Sequence, residues 1–289
     1  MRDAEPDRVD FGRYLAEIDR LRWQGGLHGP DDLVVLASTA STNKIARDVV
    51  ADYESEGIDL HPFLVLAFEQ SAGRGRQGRA WSSPRGRGVY ATLVLPVADP
   101  GLLGELPLLV GVGLCRALAP HLPWPCRLKW PNDLVVEGGG PGWRKIGGVL
   151  IETMVRSGEP PVALVGFGVN HGPLPQDLPR GATSLSLERG EGGPHASLAE
   201  LTWDLVAGVE RELTHLGQPG YAVAAYRAQS VHHSGERIVF HRDGDVVEGT
   251  FKGFDDHGLL RLERGGEELR LSAGDVIAEP GGERPEPEK

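Results

Sequence analysis

The feature that most constrains the fold of this chain is a series of six short apolar runs between residues 33 and 169. Runs of this length and composition are typical of β-strands. They therefore predict that a β-sheet forms the centre of the fold. The six runs are residues 33–37, 61–68, 88–96, 126–136, 146–155 and 161–169.

Helical patterns lie between and beyond these runs. The polar triplet Ser41–Asn43 precedes apolar residues at helical spacing, which predicts that a helix begins there. Ser197 and Glu200 form a capping box ahead of another apolar stripe, and so predict the start of a further helix. Other helices are predicted at residues 11–22, 108–118 and 221–229.

The pattern changes after His233 to short strands joined by tight turns, at residues 237–241, 246–254, 259–263 and 268–271. This pattern predicts a small all-β module of about five strands, with the size and turn spacing of a barrel. The predicted organisation is an N-terminal extension that is partly helical or loose, a large domain, the β-module and a loose tail. Their bounds are 1–32, 33–232, 233–279 and 280–289.

The charge and hydropathy of the chain exclude some classes of protein. Lys and Arg number 30 against 41 Asp and Glu, and the net charge of −11 disfavours a protein whose whole surface binds nucleic acid. No apolar stretch approaches the roughly 20 residues that a membrane-spanning helix needs. Residues 1–10 also lack the apolar segment of a secretory signal. We therefore expect a cytoplasmic protein without a membrane span.

The cysteines and three of the histidines give no sign of a metal centre. Cys115 and Cys126 lack metal-ligand spacing and adjoin apolar residues, so we expect two reduced thiols in the core. His171, His232 and His233 have no acidic or cysteine partners at such spacing, and we interpret them as ordinary polar residues.

The segment Gly73–Arg79 formally fits the G-x-G-x-x-G pattern of dinucleotide-binding folds. That interpretation requires a helix to begin at the glycines, whereas the next residues, 81–86, break helices. Instead, five arginines lie between Ser71 and Tyr90 with no acidic residue among them, which indicates a site for a polyanion. The alternative is a merely solvated basic loop. The five arginines are Arg74, Arg76, Arg79, Arg85 and Arg87.

Two further motifs combine charge with glycine or amide groups. In Arg144–Glu152, a lysine precedes paired glycines and can place a point charge against a carboxylate or phosphate. In Lys129–Asp133, the Asn-Asp pair can hold a magnesium ion, bind a nucleotide amine or accept a proton. Taken singly, Lys129 and Asp133 fit a surface ion pair equally well.

Taken together and in order, these segments resemble the biotin protein ligase family, over about residues 33–278. The resemblance implies an α+β fold, in which a mixed β-sheet flanked by helices is followed by a small SH3-like β-barrel. Regulatory members of that family carry an N-terminal winged helix-turn-helix, and too few residues precede the first motif here to form one. We therefore expect no DNA binding and no repressor activity. The matching segments are Ser41–Asn43, Gln70–Arg76, Lys129–Asp133, Lys145–Gly148, Gly166–Asn170 and, more weakly, Ala182–Leu185.

The resemblance implies a two-step reaction. The biotin carboxylate attacks the α-phosphate of ATP to give biotinyl-5′-AMP and pyrophosphate, and a lysine of a carrier protein then attacks this mixed anhydride. Fixed positive charge suits the first step, because it brings two anions together. Mg²⁺ is expected on the triphosphate. The implied partner is the biotin carboxyl carrier protein or domain of acyl-CoA carboxylases, and the implied assembly is a monomer or a weak homodimer.

The match also assigns residues to roles. Catalysis falls to Lys145, Arg74 and Asp133, with Asp133 open as proton acceptor, magnesium ligand or hydrogen-bond partner. The implied biotin-binding residues are Ser41, Thr42, Asn43, Gln70, Arg74, Gly75, Arg76, Lys145, Gly147 and Gly148. The implied ATP- and adenylate-binding residues are Arg74, Arg76, Arg79, Trp81, Lys129, Asn132 and Asn170.

Three other functions compete with this hypothesis. A lipoate or octanoate ligase of the same superfamily typically carries an Arg-Arg-x-Ser-Gly-Gly-Gly stretch, which this sequence lacks. A non-enzymatic nucleic-acid binder is disfavoured because residues 235–279 hold more acidic than basic residues. The third alternative is a regulator that binds the adenylate without transferring it. The presence of Lys145 and Asp133 argues against this alternative only weakly.

Overall fold

A computed structural model of the chain describes residues 10–24, 32–139, 142–156, 158–175, 181–190, 196–242, 245–272 and 275–276. The α-helices within these ranges are α1 (Phe11–Gln24), α2 (Thr42–Glu56), α3 (Leu106–Leu118), α4 (Leu185–Arg189), α5 (Leu198–Leu213) and α6 (Tyr221–Gln229). The strands are β1 (Asp32–Leu36), β2 (Phe63–Ala67), β3 (Gly88–Pro96), β4 (Cys126–Lys129), β5 (Asp133–Glu137), β6 (Trp143–Arg156), β7 (Glu159–Asn170), β8 (Arg237–Arg242), β9 (Asp245–Phe254), β10 (Leu260–Arg264), β11 (Glu267–Leu271) and β12 (Asp275–Val276).

The main sheet contains seven of these strands in the order β1-β2-β3-β7-β6-β5-β4. Strands β1 and β2 run parallel, and all other neighbours in the sheet run antiparallel. The mixed sheet that the resemblance implied is therefore confirmed. Strand β7 lies at the centre, between β3 and β6.

One predicted strand is in fact two. The apolar run at residues 126–136 is divided into β4 and β5 by a turn that contains Trp130 and Pro131. A proline has no N–H to donate to a neighbouring strand, which is why a central strand does not continue through it. The run looks continuous in the sequence because Trp130 is apolar. In the structure this turn residue is buried, with 3% of its surface exposed.

Helices cover both faces of the sheet. On one face, Ala46 and Val50 of α2 pack over Val65 and Leu164. Helices α1, α3, α5 and α6 contribute to the larger core on the other face. The predicted helix starts at Ser41–Asn43 and at Ser197 are confirmed, and so is the Ser197–Glu200 capping box. Helix α4 was not predicted, since five residues are too few to show a period.

Helix α1 packs closely against the large domain. Ile18 is fully buried, and its carbonyl accepts a hydrogen bond of 3.2 Å from the indole Nε1 of Trp203. The hydroxyl of Tyr14 lies 3.3 Å from Thr202 Oγ1, in α5. The helical part of the predicted N-terminal extension is thus an integral part of the folded core.

The C-terminal module is a five-stranded antiparallel sheet in the order β11-β10-β9-β8-β12, as the sequence predicted. Its interior is aromatic and aliphatic, with Phe240, Phe251 and Leu262 almost fully buried. The predicted loose tail at 280–289 lies outside the described residues. Elsewhere in the chain, Cys115 and Cys126 are buried free thiols, as expected. No described helix is both long and apolar enough to cross a membrane.

Candidate active site

A cavity of about 530 Å³ opens on the face of the sheet that α2 covers only in part. Ligand pockets for small molecules commonly have this volume. The cavity is lined by segments that lie far apart in the sequence, and it collects all but one of the predicted site residues; Gly147 is the exception. The predicted residues that line it are Ser41, Thr42, Asn43, Gln70, Arg74, Gly75, Arg76, Arg79, Trp81, Lys129, Asn132, Asp133, Lys145, Gly148 and Asn170.

Two glycines of β7 make room for the cavity. Side chains alternate across a strand, so Gly166 and Gly168 lie on the same face as Leu164, which is buried beneath α2. A Cβ at Gly166 would lie 2.4 Å from Asn43 Oδ1, and one at Gly168 would lie 2.6 Å from Trp81 Nε1. The polar side chains can reach the floor of the cavity because these positions carry no side chain of their own.

A hydrogen-bond network fixes the predicted biotin-binding residues of α2. The carbonyl oxygen of Gln70 accepts from the backbone N–H of Thr42 at 2.8 Å, and its amide nitrogen donates to Ser83 Oγ at 2.8 Å. The hydroxyl of Thr92 donates to Asn43 Oδ1 at 2.6 Å. Ser41 precedes the helix in extended conformation, but its side chain makes no capping hydrogen bond. The helix-cap function alone does not account for Ser41.

The segment rich in arginine forms a loop that folds back on itself. The N–H of Gly75 donates to the carbonyl of Arg79, and the N–H of Trp81 donates to the carbonyl of Gly73. A Cβ at Gly73 would lie 2.4 Å from Trp81 O, so this return requires glycine. A short 3₁₀ turn at Arg76–Gly78 is the only helical piece in the described loop. The structure therefore agrees with the exclusion of a dinucleotide-binding helix.

The loop places positively charged side chains at the cavity. Arg74 and Arg79 are exposed at its edge, whereas Arg76 is half-buried and its Nη1 donates to Asn132 Oδ1 at 3.4 Å. The indole nitrogen of Trp81 is buried and has no hydrogen-bond partner among the residues that the structure describes. Its ring lies beneath Lys145, whose Nζ is 5.5 Å from the ring centroid.

Lys145 and Asp133 form the ion pair at the centre of the site. Lys145 Nζ lies 2.5 Å from Asp133 Oδ1, and both side chains are partly exposed, by 39% and 22%. The backbone of Lys145 is held on its other side as well, because its N–H donates to Gly181 O at 2.7 Å and its carbonyl accepts from Thr183 N at 2.8 Å. A lysine fixed in this way presents a point charge at a defined position.

Backbone carbonyls hold two of the remaining predicted residues, Asn132 and Asn170, and the third, Lys129, lies over an aromatic ring. Asn132 Nδ2 donates to the carbonyl of Val149 at 2.8 Å, and Asn170 Nδ2 donates to that of Thr183 at 2.9 Å. The ammonium of Lys129 lies 5.9 Å from the centroid of the Trp143 ring.

Several residues that sequence reasoning missed belong to this neighbourhood. Trp143 lines the cavity, Thr92 and Ser83 hold the α2 network, and Glu152 accepts from Asn43 Nδ2 at 2.8 Å. Each lies in a strand or loop where a tryptophan, threonine, serine or glutamate has many ordinary explanations. Two of them carried a local signal, since Ser83 lies within the segment rich in arginine and Glu152 ends the Arg144–Glu152 motif.

The cavity thus combines fixed cations, one carboxylate and uncharged hydrogen-bonding groups. Such an arrangement favours ligands that carry phosphate or carboxylate groups. The described residues contain no cluster of three or more His, Cys, Asp or Glu side chains that could enclose a metal ion.

Comparison with known proteins identifies the family. The model of the biotin/lipoate A/B protein ligase family matches residues 35–170, and that of the biotin protein ligase C-terminal domain matches residues 233–278. The biotin–[acetyl-CoA-carboxylase] ligase of Mycobacterium tuberculosis is 31% identical over 259 residues, covering 88% of this chain and 91% of that protein. The chain belongs to the biotin protein ligase family.

Other members of the biotin protein ligase family agree with this assignment. The biotin–[acetyl-CoA-carboxylase] ligase of Paracoccus denitrificans is 32% identical over 240 residues, covering 79% of this chain and 92% of that protein. The structure of the biotin protein ligase from Aquifex aeolicus in complex with biotin and ATP aligns with a TM-score of 0.66 at 21% identity. The alignment covers 86% of this chain and 98% of that one, so the two share a fold.

Proposed function

We propose that this chain catalyses the ATP-dependent attachment of biotin to a lysine of a carrier protein. In the first half-reaction, a biotin carboxylate oxygen bonds to the α-phosphorus of ATP, and the bond from that phosphorus to the β-phosphate oxygen breaks to release pyrophosphate. In the second, the carrier amine attacks the acyl carbon of biotinyl-5′-AMP, loses a proton and expels AMP.

The observation that carries the proposal is the convergence of the family motifs on one cavity, around the Lys145–Asp133 pair. The first half-reaction brings a carboxylate against a phosphate, and its barrier falls when fixed cations neutralise both anions. Lys145 is suited to a place between the carboxylate and the α-phosphate. Arg74 and Arg76, which also line the cavity, are suited to the charge that develops on the phosphate.

The uncharged side of the cavity suits biotin itself. Its ureido ring is neutral and requires matched donors and acceptors, and its tail is apolar. Ser41, Thr42, Asn43 and Gln70 supply such groups, and we assign them to the ring. Leu150 and Val149, which also line the cavity, suit the tail. The family match also assigns Gly75, Gly147 and Gly148 to biotin. Of these, Gly75 and Gly148 line the cavity, and their lack of a side chain leaves room for the ligand.

The nucleotide would occupy the side formed by the loop and the β4–β5 turn. We assign Arg79, Lys129 and Asn132 to the phosphates and ribose, together with the buried amide of Asn170. Trp81 is suited to cover the adenylate, since its ring already packs beside Lys145. Closure of this loop over the anhydride would shield it from water.

Magnesium fits the site as part of the substrate. Mg²⁺ is usually held by one or two carboxylates together with substrate phosphates, and Asp133 is the one carboxylate among the described residues that line the cavity. We therefore propose that Mg²⁺ enters with ATP, with Asp133 as a candidate ligand. Asp133 is equally placed to accept the proton of the carrier lysine in the second half-reaction.

The carrier that we propose is the biotin carboxyl carrier domain of an acyl-CoA carboxylase. The names of the relatives from Mycobacterium and Paracoccus support this choice, since both are biotin–[acetyl-CoA-carboxylase] ligases. We further propose that the chain works as a monomer or a weak homodimer and binds no DNA.

The test is mass detection of acyl-AMP after the protein is mixed with Mg-ATP and, separately, biotin, lipoate or octanoate. Lys145→Ala is compared with Lys252→Ala in the β-module, because Lys252 also pairs with a carboxylate at 2.5 Å and is 40% exposed. We expect biotinyl-AMP alone, sharply reduced in Lys145→Ala and unchanged in Lys252→Ala. Absence of any adenylate from the wild-type protein would contradict the proposal.

A further inference from the structure

His232 lies where the large domain joins the C-terminal module, between α6 and β8. Its side chain is fully buried. The backbone just before it runs alongside β4, since Ser230 pairs with Leu128 and the N–H of Val231 donates to Leu128 O at 3.0 Å. A buried polar ring at such a junction must have hydrogen-bond partners, or its burial costs free energy.

Both ring nitrogens of His232 have partners, and these partners fix its tautomer. The backbone N–H of Trp130 can only donate, and it points at Nε2 from 3.2 Å. Nε2 must therefore be the unprotonated acceptor, and the proton is on Nδ1, which lies 3.0 Å from the Glu236 carboxylate. His232 thus joins the β4–β5 turn to the entrance of the C-terminal module through one neutral imidazole.

Trp130 is held from the module side as well. Its indole Nε1 donates to the carbonyl of Gly258 at 3.2 Å, and its ring packs against Phe240 with 6.1 Å between centroids. Trp130 occupies the middle of the family motif, between Lys129 and the Asn132–Asp133 pair that lines the cavity. The turn that carries these side chains therefore rests on Gly258 and Phe240 of the C-terminal module, and on His232 at the entrance to that module.

The ring of His232 also supports the wall of the cavity. It meets the edge of Trp143 at 5.8 Å and that of Phe251, from β9, at 5.7 Å. Trp143 lines the cavity, and the ammonium of Lys129 lies over its ring. One imidazole is thus packed between a residue of the cavity wall and a residue of the module's core.

We propose that His232 is a positioning residue for the adenylation site, through which the C-terminal module acts on the reaction. It holds the Trp130 backbone and the Trp143 ring, and so sets where Lys129, Asn132 and Asp133 stand in the cavity. The inference rests on the proposed function, because it concerns the geometry of the same site. The module contributes to nucleotide binding through this contact without itself touching ATP.

The test compares two substitutions at one position. His232→Leu removes the acceptor for the Trp130 N–H, whereas His232→Gln can place an amide oxygen near the former Nε2. Steady-state formation of biotinyl-AMP is measured with ATP and biotin varied in turn. For His232→Leu we expect KM for ATP to rise about tenfold and kcat to fall, with KM for biotin within about twofold of wild type. His232→Gln should return KM for ATP and kcat most of the way to their wild-type values.

A control separates positioning from general loss of stability. Leu262→Ala removes a fully buried side chain of the same module and none of the contacts described for His232. It should lower the melting temperature at least as much as His232→Leu, yet leave KM for ATP unchanged. The proposal is overturned if His232→Gln is as impaired as His232→Leu, if His232→Leu has wild-type kinetics, or if Leu262→Ala raises KM for ATP equally. Failure of the wild-type chain to form adenylate would instead overturn the proposed function.

Discussion

The 2.5 Å contact between Lys145 Nζ and Asp133 Oδ1 depends on a β-bulge between the strands that carry the two residues. Asp133 pairs with Gly148, but after a register shift Val135 pairs with Lys145, so Ile146 has no partner on β5. Strict alternation would point residues 145 and 148 to opposite faces. The bulge brings both to the cavity while Ile146 stays fully buried.

Removing the charge of Asp133 should slow adenylation more than it affects folding. In Asp133→Asn, the amide still accepts a hydrogen bond from Lys145 but no longer holds the ammonium by charge, so we expect kcat to fall about 10- to 100-fold. The free energy of unfolding should change by less than about 1 kcal/mol, because the pair is partly exposed. Single-turnover formation of biotinyl-AMP and urea denaturation measure the two effects.

The matched control for that change is Asp48→Asn. Asp48 pairs with Lys44 at 2.6 Å on the exposed surface of α2. Its substitution should leave both the rate and the stability at wild-type values. Equal rates for Asp133→Asn and Asp48→Asn would show that the central ion pair is not needed for adenylation.

The two adjacent glycines of β6 should respond differently to a methyl group. A Cβ at Gly147 would lie 2.7 Å from Gly168 O, so Gly147→Ala should destabilise the fold by about 1–3 kcal/mol. At Gly148 the closest atom, Asn132 O, would be 3.5 Å away, which is an ordinary contact. We therefore expect Gly148→Ala to fold normally but to bind biotin more weakly, since its methyl group points into the cavity.

Thermal unfolding and calorimetric titration with biotin distinguish these two glycine variants. The expectation fails if Gly148→Ala loses as much stability as Gly147→Ala, or if it binds biotin as tightly as the wild-type protein.

Helix α1 should contribute measurably to stability. Ile18 is fully buried against the domain, and Ile18→Ala should lower the free energy of unfolding by about 2–5 kcal/mol. The adjacent Asp19 is exposed, and Asp19→Ala should change it by no more than about 0.5 kcal/mol. Urea denaturation measures both. Similar values for the two variants would mean that α1 does not pack as described.

Glu188 should make the free energy of unfolding depend on pH in the acidic range. Its side chain is almost fully buried, and this desolvation raises its pKa, but hydrogen bonds from Arg144 and Thr183 outweigh it and hold the net pKa below the ordinary 4.5. A carboxyl group whose pKa is lowered by folding stabilises the protein above its unfolded pKa, and the contribution is lost as pH falls through the folded value.

Glu188→Gln removes this titration. We therefore expect the wild-type chain to lose more stability than the variant between pH 5 and strongly acidic pH, about 2 or below. Thermal melts across this range provide the measurement. Glu200→Gln is not a suitable control, because Glu200 caps α5. Parallel pH profiles for the two proteins would contradict the expected role of the Arg144–Glu188 pair.

Much of the secondary structure could be predicted because its signals are local. Helix α6 and strand β3 have the predicted bounds, since apolar spacing and turn residues mark both ends within a few positions. The failure at residues 126–136 has a physical cause: Trp130 in the turn is as buried as the strand residues around it. The turn carries an apolar residue because it packs against the C-terminal module, and in the sequence such a residue cannot be distinguished from one in a strand.

The candidate site could be predicted only where it follows the family's motifs. Gln70, Arg76 and Asn132 were found in this way, and each lines the cavity. Thr92 and Glu152 were not found, because their partner Asn43 is about 50 and 109 residues away and no local pattern links them. Contacts at such separations form only when the strands have paired.

The sequence by itself determined which segments form helices and strands, and which residues carry the charge and the amide groups of the site. These properties depend on neighbours along the chain. Only the tertiary structure decided that β7 lies between β3 and β6, that the bulge at Ile146 turns Lys145 towards Asp133, and that His232 supports the Trp130 turn. Each of these depends on packing between distant segments, where the burial of apolar surface and the pairing of buried polar groups must be satisfied together.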